Sequence, residues 1–96
     1  MIERLTDSKI QEELKSLPGW ELKEGQITKL YKFKDFKEAL GFVNRVADLA
    51  EEADHHPDIL IRYNKVTLTL ATHSARGLTA KDFRLAREID GAGSLQ

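Results

Sequence analysis

Residues 58–71 read DILIRYNKVTLTLA, in which two apolar runs flank the dipeptide Asn64-Lys65. Val66, Leu68 and Leu70 alternate with more polar residues, which is the period-2 pattern of a strand that buries one face. Because asparagine tolerates a positive φ, we expect Asn64-Lys65 to form a two-residue hairpin loop. The stretch therefore predicts an antiparallel hairpin that packs one of its faces against helices.

The flanking sequence predicts three helices and a second hairpin. Pro57 closes the longest helix, because the residue before a proline is pushed out of the helical region. The fold class that we predict is α+β, a four-stranded antiparallel sheet with three helices on one face. In chain order α-β-β-α-β-β-α, the elements are a helix from about Thr6-Asp7-Ser8 to Pro18, strands at 20–22 and 27–33 around Glu24-Gly25, a helix opened by Asp35, strands at 58–63 and 66–72, and a helix from about Thr79 with a frayed tail at 91–94.

The longest predicted helix carries a start signal and an apolar stripe. Asp35 is a good N-cap residue, and Glu38 three positions later completes a capping-box pattern. The stripe that we expect to face the sheet contains Phe36, Ala39, Leu40, Val43, Val46, Ala47, Ala50 and Ala53.

Composition excludes several classes of protein. With 41% hydrophobic and 32% charged residues among 96, we expect one domain, residues 1–96, with a modest core that favours association between subunits. The formal net charge of -1 argues against a nucleic-acid partner, and the absence of cysteine excludes disulfides and thiolate chemistry. No apolar run approaches the roughly 20 residues of a membrane span. Since residues 1–5 lack the apolar core of a secretion signal, we expect a cytoplasmic protein.

All three histidines of the chain lie between positions 55 and 73. His55 and His56 are adjacent, His73 lies one hairpin later, and the acidic residues Glu51 and Asp82 flank the group. Imidazole is the side chain whose unperturbed pKa lies near neutral pH, which makes it the usual proton donor and acceptor. The grouping therefore predicts a site for acid–base chemistry.

The predicted hairpin register brings two of the histidines together. With Asn64-Lys65 as the loop, Ile59 pairs with Leu70 on the helix-facing side. One step further on the other face, His56 comes opposite His73. We expect the imidazoles to stand together on the face away from the helices and to meet over one hollow.

The position of His55 predicts a different environment from that of His56. His55 would lie in the last helical turn, four residues after Glu51, so their side chains could touch. A helix C-terminus and a nearby carboxylate both favour imidazolium, so we expect His55 to stay protonated at neutral pH. Two adjacent histidines in different environments are suited to separate roles as acid and base.

Structural interpretations of these residues stay open. Thr79 and Asp82 also fit the start of the last helix, where the carboxylate would act only as a cap. Glu51 fits a solvated helix charge, and Tyr63 and Trp20 fit core residues better than a substrate platform. Zinc is a further alternative, although the chain has no H-E-x-x-H motif and no His-x-His pair. Ser74 adjoins His73 but lacks the glycine setting of a nucleophilic serine.

The spacing of these residues resembles the signature of the pterin-4a-carbinolamine dehydratases, the family that includes dimerisation cofactors of homeodomain transcription factors. That signature is an acidic residue, three residues, His-His-Pro, five residues, an aromatic, nine residues, His, eight residues and Asp. The chain matches it at Glu51, His55-His56-Pro57, Tyr63, His73 and Asp82, and the likeness extends through Pro18-Gly19-Trp20, Phe33-Lys34-Asp35-Phe36 and Tyr63-Asn64-Lys65-Val66 to cover 17–89.

The resemblance implies an activity and roles for the site residues. The reaction would be dehydration of a 4a-hydroxytetrahydropterin to quinonoid dihydropterin, in recycling of a tetrahydrobiopterin-type cofactor, without metal or organic cofactor. His55 and His56 would be the acid–base pair, and His73 would bind substrate or assist. The pterin would contact His55-His56-Pro57 and the strand end Thr72-His73-Ser74-Ala75, with the carboxylates of Glu51 and Asp82 orienting the imidazoles.

The resemblance also implies quaternary structure and an alternative function. Members of the family associate as dimers or tetramers. Animal relatives double as transcriptional dimerisation cofactors, so a non-catalytic binding or assembly role on the same fold is the alternative.

Overall fold

The computed structural model describes residues 3–93 and has the predicted order of elements. Three helices and a four-stranded antiparallel sheet follow one another as α-β-β-α-β-β-α, which confirms the predicted fold class. The strands lie in the order β1-β2-β4-β3. The elements are α1 Asp7–Leu14, β1 Glu21–Lys23, β2 Gln26–Lys32, α2 Phe36–Ala53, β3 Asp58–Arg62, β4 Lys65–Leu70, a short 3-10 turn His73–Ala75, and α3 Ala80–Gly93.

The sheet has one buried and one open face, as the period-2 pattern predicts. Val66, Leu68 and Leu70 of β4 are fully buried against the helices. On the opposite face, Leu30 and Leu60 both lie beside Thr67 and are 53% and 55% exposed. No described helix is long and apolar enough to cross a membrane.

The loop of the β3–β4 hairpin lies one residue earlier than predicted. Arg62 pairs with Lys65, so the two loop residues are Tyr63 and Asn64, and Tyr63 takes the positive φ of 52°. Asn64 is held against the end of β2, because its Nδ2 donates to the Phe33 carbonyl at 2.8 Å and its own carbonyl accepts from the Phe33 amide at 2.8 Å. This long-range contact is invisible in the hairpin sequence, and it determines the position of the loop.

Moving the loop shifts the strand pairing by two residues. Ile59 pairs with Leu68 instead of Leu70, so each side chain keeps its predicted face. The predicted extension that sets His56 opposite His73 is wrong, because the observed register would place Ala71 there. Strand β4 also ends at Leu70, before the predicted boundary.

The stripe of α2 that faces the sheet is narrower than predicted. Its buried residues are Ala39, Phe42, Val46 and Ala50, spaced three or four apart along one side of the helix. Phe42 was missing from the predicted stripe, yet it packs with ring centroids 4.6 Å from Tyr31 and 4.9 Å from Phe33. The predicted members Phe36, Ala47 and Ala53 are exposed.

Helix α2 begins where the capping pattern predicts. The Glu38 amide donates to Oδ1 of Asp35 at 2.9 Å, and Oε1 of Glu38 accepts from the Lys34 amide at 3.1 Å. The two side chains therefore satisfy donors at the helix start, as a capping box does, with the return bond displaced by one residue.

Helix α3 runs further than predicted and is anchored to the sheet. Residues 91–93, predicted to be frayed, are helical, whereas Ser94 lies outside the described residues. A Cβ built on Gly93 would lie 3.1 Å from Cε1 of Tyr31, so the helix end packs closely on the sheet. One turn earlier, Oδ1 of Asp90 accepts from Lys29 Nζ at 2.9 Å and from the Tyr31 hydroxyl.

Candidate active site

The site begins at the end of α2, where the chain reverses at Asp54. This residue adopts the left-handed conformation, with φ 51° and ψ 44°. The Asp54 amide donates to the Glu51 carbonyl at 3.2 Å, and the His55 amide donates to the Ala50 carbonyl at 3.1 Å. These two bonds form a Schellman motif that ends the helix at Ala53 and directs the next residues away from its axis.

His55 is directed toward the start of α3, where it meets Asp82. Its Nε2 lies 2.6 Å from Oδ1 of Asp82, and the side chains are 10% and 0% exposed. The other carboxylate oxygen, Oδ2, accepts from the Thr79 amide at 2.9 Å and from the Thr72 hydroxyl at 2.8 Å. Asp82 therefore caps the helix and also holds the imidazole, so the capping interpretation describes only half of its contacts.

His56 has a separate carboxylate partner on the surface. Its Nε2 lies 2.5 Å from Oε2 of Glu51, and the side chains are 57% and 76% exposed. The predicted contact between Glu51 and His55 is wrong, because the left-handed turn at Asp54 takes His55 off the helical spacing. Glu51 therefore pairs with His56, and not with His55 as the helical spacing predicts. The His55 imidazole is largely buried, whereas the His56 imidazole is solvated.

His73 begins the short 3-10 turn after β4 and is exposed. Within the part of the chain that the structure describes, its ring makes no hydrogen bond. It lines a hollow of about 290 Å³ between the β1–β2 turn and the segment after β4. Thr72 points the opposite way, with its hydroxyl on Asp82, while Ser74 is exposed and Ala75 is half-buried.

The prediction that the imidazoles meet over one hollow is not met by the depressions that His55 and His73 line, which are separate. His55 lines a groove of about 370 Å³ between α2 and α3, together with Leu49, Lys81 and Arg84. His73 lines the separate hollow, and His56 lines neither of these two depressions. Thr72 connects the two regions, because its side chain reaches the carboxylate that holds His55 while its backbone precedes His73.

Two aromatic residues of the predicted set lie elsewhere. Trp20 is 5% exposed and belongs to the core, as predicted. Tyr63 is 66% exposed in the β3–β4 loop, so the prediction that it lies in the core is wrong. That loop joins the ends of β3 and β4 opposite to the ends that carry His56 and His73, so Tyr63 is remote from the site.

Two contributors to the site were not identified as such from the sequence. Thr79 was read only as a helix start, although the pattern Thr-x-x-Asp contained the signal that its amide meets the Asp82 carboxylate. Glu24 and Gly25, with φ 52° and 76°, form the β1–β2 turn that walls the His73 hollow. No local pattern links that turn to His73, because the two are joined only by the sheet.

The arrangement is suited to proton transfer. A buried carboxylate orients one imidazole, and a solvated carboxylate accompanies the next, so the two histidines differ in rigidity and hydration. Among residues 3–93, no three histidine, aspartate or glutamate side chains are grouped as ligands for a metal ion.

Comparison with known proteins identifies the family to which the chain belongs. The family model described as pterin 4 alpha carbinolamine dehydratase matches residues 3–92. A relative from Thermomicrobium roseum is 55% identical over 86 residues, covering 90% of this chain and 92% of its own length. One from Sulfurisphaera tokodaii is 47% identical over 89 residues, covering 93% and 96%. Both are provisionally named pterin-4-alpha-carbinolamine dehydratase.

Solved structures match the fold. The transcriptional coactivator/pterin dehydratase of Brucella melitensis is 43% identical and superposes with a TM-score of 0.92, covering 95% of this chain and 99% of that one. A pterin dehydratase-like protein described as a RuBisCO assembly factor in the alpha-carboxysome is 21% identical with a TM-score of 0.64, covering 77% and 86%, and shares the fold alone. By sequence and by structure, the chain belongs to the pterin 4 alpha carbinolamine dehydratase family.

Proposed function

We propose that this protein dehydrates 4a-hydroxytetrahydropterins to quinonoid dihydropterins, in recycling of a tetrahydrobiopterin-type cofactor. The observation that carries the proposal is the buried pair His55–Asp82 beside the solvated pair His56–Glu51. Membership of the family and the complete set of three histidines support it.

The reaction needs one proton delivered and one removed. The lone pair of N5 forms the C4a=N5 double bond while the C4a–O bond breaks, a proton joins the departing hydroxyl to give water, and N5 loses its own proton. His55 and His56 act as the acid–base pair, and His73 binds substrate or assists. A positioned acid or base contributes on the order of 10²–10⁴-fold in rate, so removing either histidine should have a large, measurable effect.

The test is an ultraviolet assay of the loss of the 4a-hydroxyl group. We expect the purified protein to accelerate this loss without added metal. His55→Ala and His56→Ala should each lower the rate at least tenfold with unchanged circular dichroism, whereas Tyr63→Phe, remote from the site, should leave it unchanged. A wild-type rate equal to the uncatalysed rate would exclude dehydratase activity. If the protein instead contains stoichiometric zinc, and a chelator removes both the zinc and the activity, a metal site is favoured.

A second candidate is a binding or assembly role. The Brucella melitensis protein carries both descriptions, coactivator and dehydratase, which favours such a role in a chain this similar. The two candidates separate in one experiment, because replacing the histidines abolishes catalysis and leaves a binding surface elsewhere on the fold intact.

We also propose that the protein is a cytoplasmic homodimer or homotetramer. The exposed Leu30, Leu60 and Phe36 leave apolar area that a larger assembly would cover. Light scattering coupled to size-exclusion chromatography tests the assembly, and a monomer at micromolar concentration would contradict it.

A further inference from the structure

A continuous chain of hydrogen bonds joins the start of α3 to the ring of His55. The Lys81 amide donates to Oγ1 of Thr79 at 3.3 Å, and this hydroxyl lies 2.7 Å from Oγ1 of Thr72. Thr72 donates to Asp82 Oδ2 at 2.8 Å, and Asp82 Oδ1 lies 2.6 Å from His55 Nε2. Thr79 and Asp82 are 0% exposed and Thr72 is 4% exposed, so water does not compete for these bonds.

The protons along this chain have one consistent order. An ionised carboxylate only accepts, so the single hydroxyl proton of Thr72 is committed to Asp82. The short contact between the two threonine hydroxyls must then use the proton of Thr79. Oγ1 of Thr79 also accepts a hydrogen bond from the Lys81 amide. With these bonds made, neither threonine hydroxyl is free to rotate.

This order determines which nitrogen of His55 carries a proton. Oδ2 of Asp82 accepts from both Thr72 and the Thr79 amide, so the carboxylate is fixed with Oδ1 toward the imidazole. Because that oxygen can only accept, Nε2 of His55 must carry a proton, and in the neutral ring it is the only nitrogen that does.

Nδ1 of His55 is the nitrogen that remains for chemistry. It makes no hydrogen bond with residues 3–93. In the same part of the chain, the only side-chain nitrogen atoms that are buried without a partner belong to Arg45, so Nδ1 keeps some exposed surface in the groove that His55 lines between α2 and α3. His56 has no comparable support, because the side chain of its partner Glu51 is 76% exposed and its carboxylate makes no other hydrogen bond among the described residues.

We propose that Thr79 is a positioning residue, acting through Thr72 and Asp82, that holds neutral His55 as the Nε2–H tautomer and leaves Nδ1 to exchange the proton of the reaction. The role of Nδ1 in exchanging the proton of the reaction rests on the proposed function. The tautomer and its dependence on Thr79 do not.

The tautomer is measured directly by ¹⁵N NMR of the imidazole nitrogens, at a pH where His55 is neutral. A His55→Gln variant assigns the signals among the three histidines. We expect Nε2 to be the protonated nitrogen in wild-type protein, and a proton found on Nδ1 instead overturns the proposal without any further variant.

The matched pair Thr79→Val and Thr79→Ser tests the dependence. Valine keeps the shape of threonine and removes the hydroxyl, whereas serine retains it. For Thr79→Val we expect a detectable fraction of the Nδ1–H tautomer and a kcat about tenfold lower with little change in KM, since a misplacement of 1 Å can cost on the order of 100-fold. Thr79→Ser should restore both readouts to near the wild-type values.

The outcomes separate this inference from the proposed function. A wild-type protein without dehydratase activity rejects the function, and the NMR readout still decides whether Thr79 sets the tautomer. An active wild type whose Thr79→Val variant folds with unchanged spectrum and unchanged kcat rejects the positioning role alone. If Thr79→Val does not fold, Thr79→Ala takes its place. The Thr79→Ala variant also removes the hydroxyl, with a smaller side chain, so an unchanged tautomer and an unchanged kcat in that variant reject the positioning role.

Discussion

The indole nitrogen of Trp20 donates a hydrogen bond of 3.1 Å to Oδ1 of Asp90, which ties the residue before β1 to the last turns of α3. The same oxygen accepts from Lys29 Nζ at 2.9 Å and from the Tyr31 hydroxyl. Lys29 Nζ also lies 4.8 Å from the centroid of the Tyr31 ring. One carboxylate therefore joins the N-terminal strands to the C-terminal helix.

Removing the Asp90 carboxylate should destabilise the fold. Asp90→Ala leaves the buried Trp20 indole and the half-buried Tyr31 hydroxyl without an acceptor, and an unsatisfied buried donor costs about 1–3 kcal/mol. Asp90→Asn keeps an oxygen in the same place and should cost less. Urea denaturation measures both, and equal midpoints for Asp90→Ala and wild type would contradict the anchoring role.

Tyr31 should make stability fall at alkaline pH. Burial, followed by the hydrogen bond to Asp90, raises the pKa of the Tyr31 hydroxyl above its ordinary value. As pH rises past about 10, unfolded chains release this proton while folded chains keep it, so the free energy of unfolding decreases. The difference between wild type and Tyr31→Phe should therefore shrink from pH 8 upward to pH 11. A difference that stays constant would show that Tyr31 ionises equally in both states.

Asp54 offers a stabilising substitution next to the site. Its φ of 51° lies in the left-handed region, which glycine adopts without steric cost, and its charge opposes the helix dipole at the C-terminus of α2. We expect Asp54→Gly to raise the free energy of unfolding by about 0.5–1 kcal/mol and Asp54→Ala to lower it by a similar amount. Thermal melts compare the two, and a stabilising alanine would refute the role assigned to the backbone conformation.

The ion pair between Glu13 and Arg87 should stabilise the protein only when Glu13 is ionised. A hydrogen bond from Arg87 lowers the pKa of the Glu13 carboxyl below 4.5. Because the folded state holds the carboxylate more strongly than the unfolded state, the contribution is present above the unfolded pKa and is lost as pH falls through the folded one. Glu13→Gln should thus lower the melting temperature at pH 7, and this deficit should disappear in acid. A deficit that persists in acid would indicate lost packing.

Much of the fold followed from local patterns in the sequence. The alternation of Val66, Leu68 and Leu70 identified the buried face of β4, because side-chain direction in a strand depends only on position along the chain. The capping residues Asp35 and Glu38 marked the start of α2 for the same reason, since a cap involves neighbours within one turn. Such local features do not depend on where the strand or helix packs in the fold, so the sequence alone predicts them.

Features that depend on distant contacts were predicted less well. The β3–β4 loop lies one residue earlier than predicted because Asn64 forms a hydrogen bond with Phe33, directly after β2. The stripe of α2 included exposed residues and omitted Phe42, because the sheet and α3 together determine how wide a face of the helix is covered.

The candidate site divides in the same way. The sequence by itself determined that three imidazoles and two carboxylates lie on adjoining segments, and that Asp82 has the spacing of a helix cap. Only the tertiary structure decided that His55 pairs with Asp82 and His56 with Glu51, and that Thr72 and Thr79 complete the buried network. The reason is that a hydrogen bond needs its two atoms within about 3 Å, and the packing of α2 against α3 sets such distances between residues far apart in the chain.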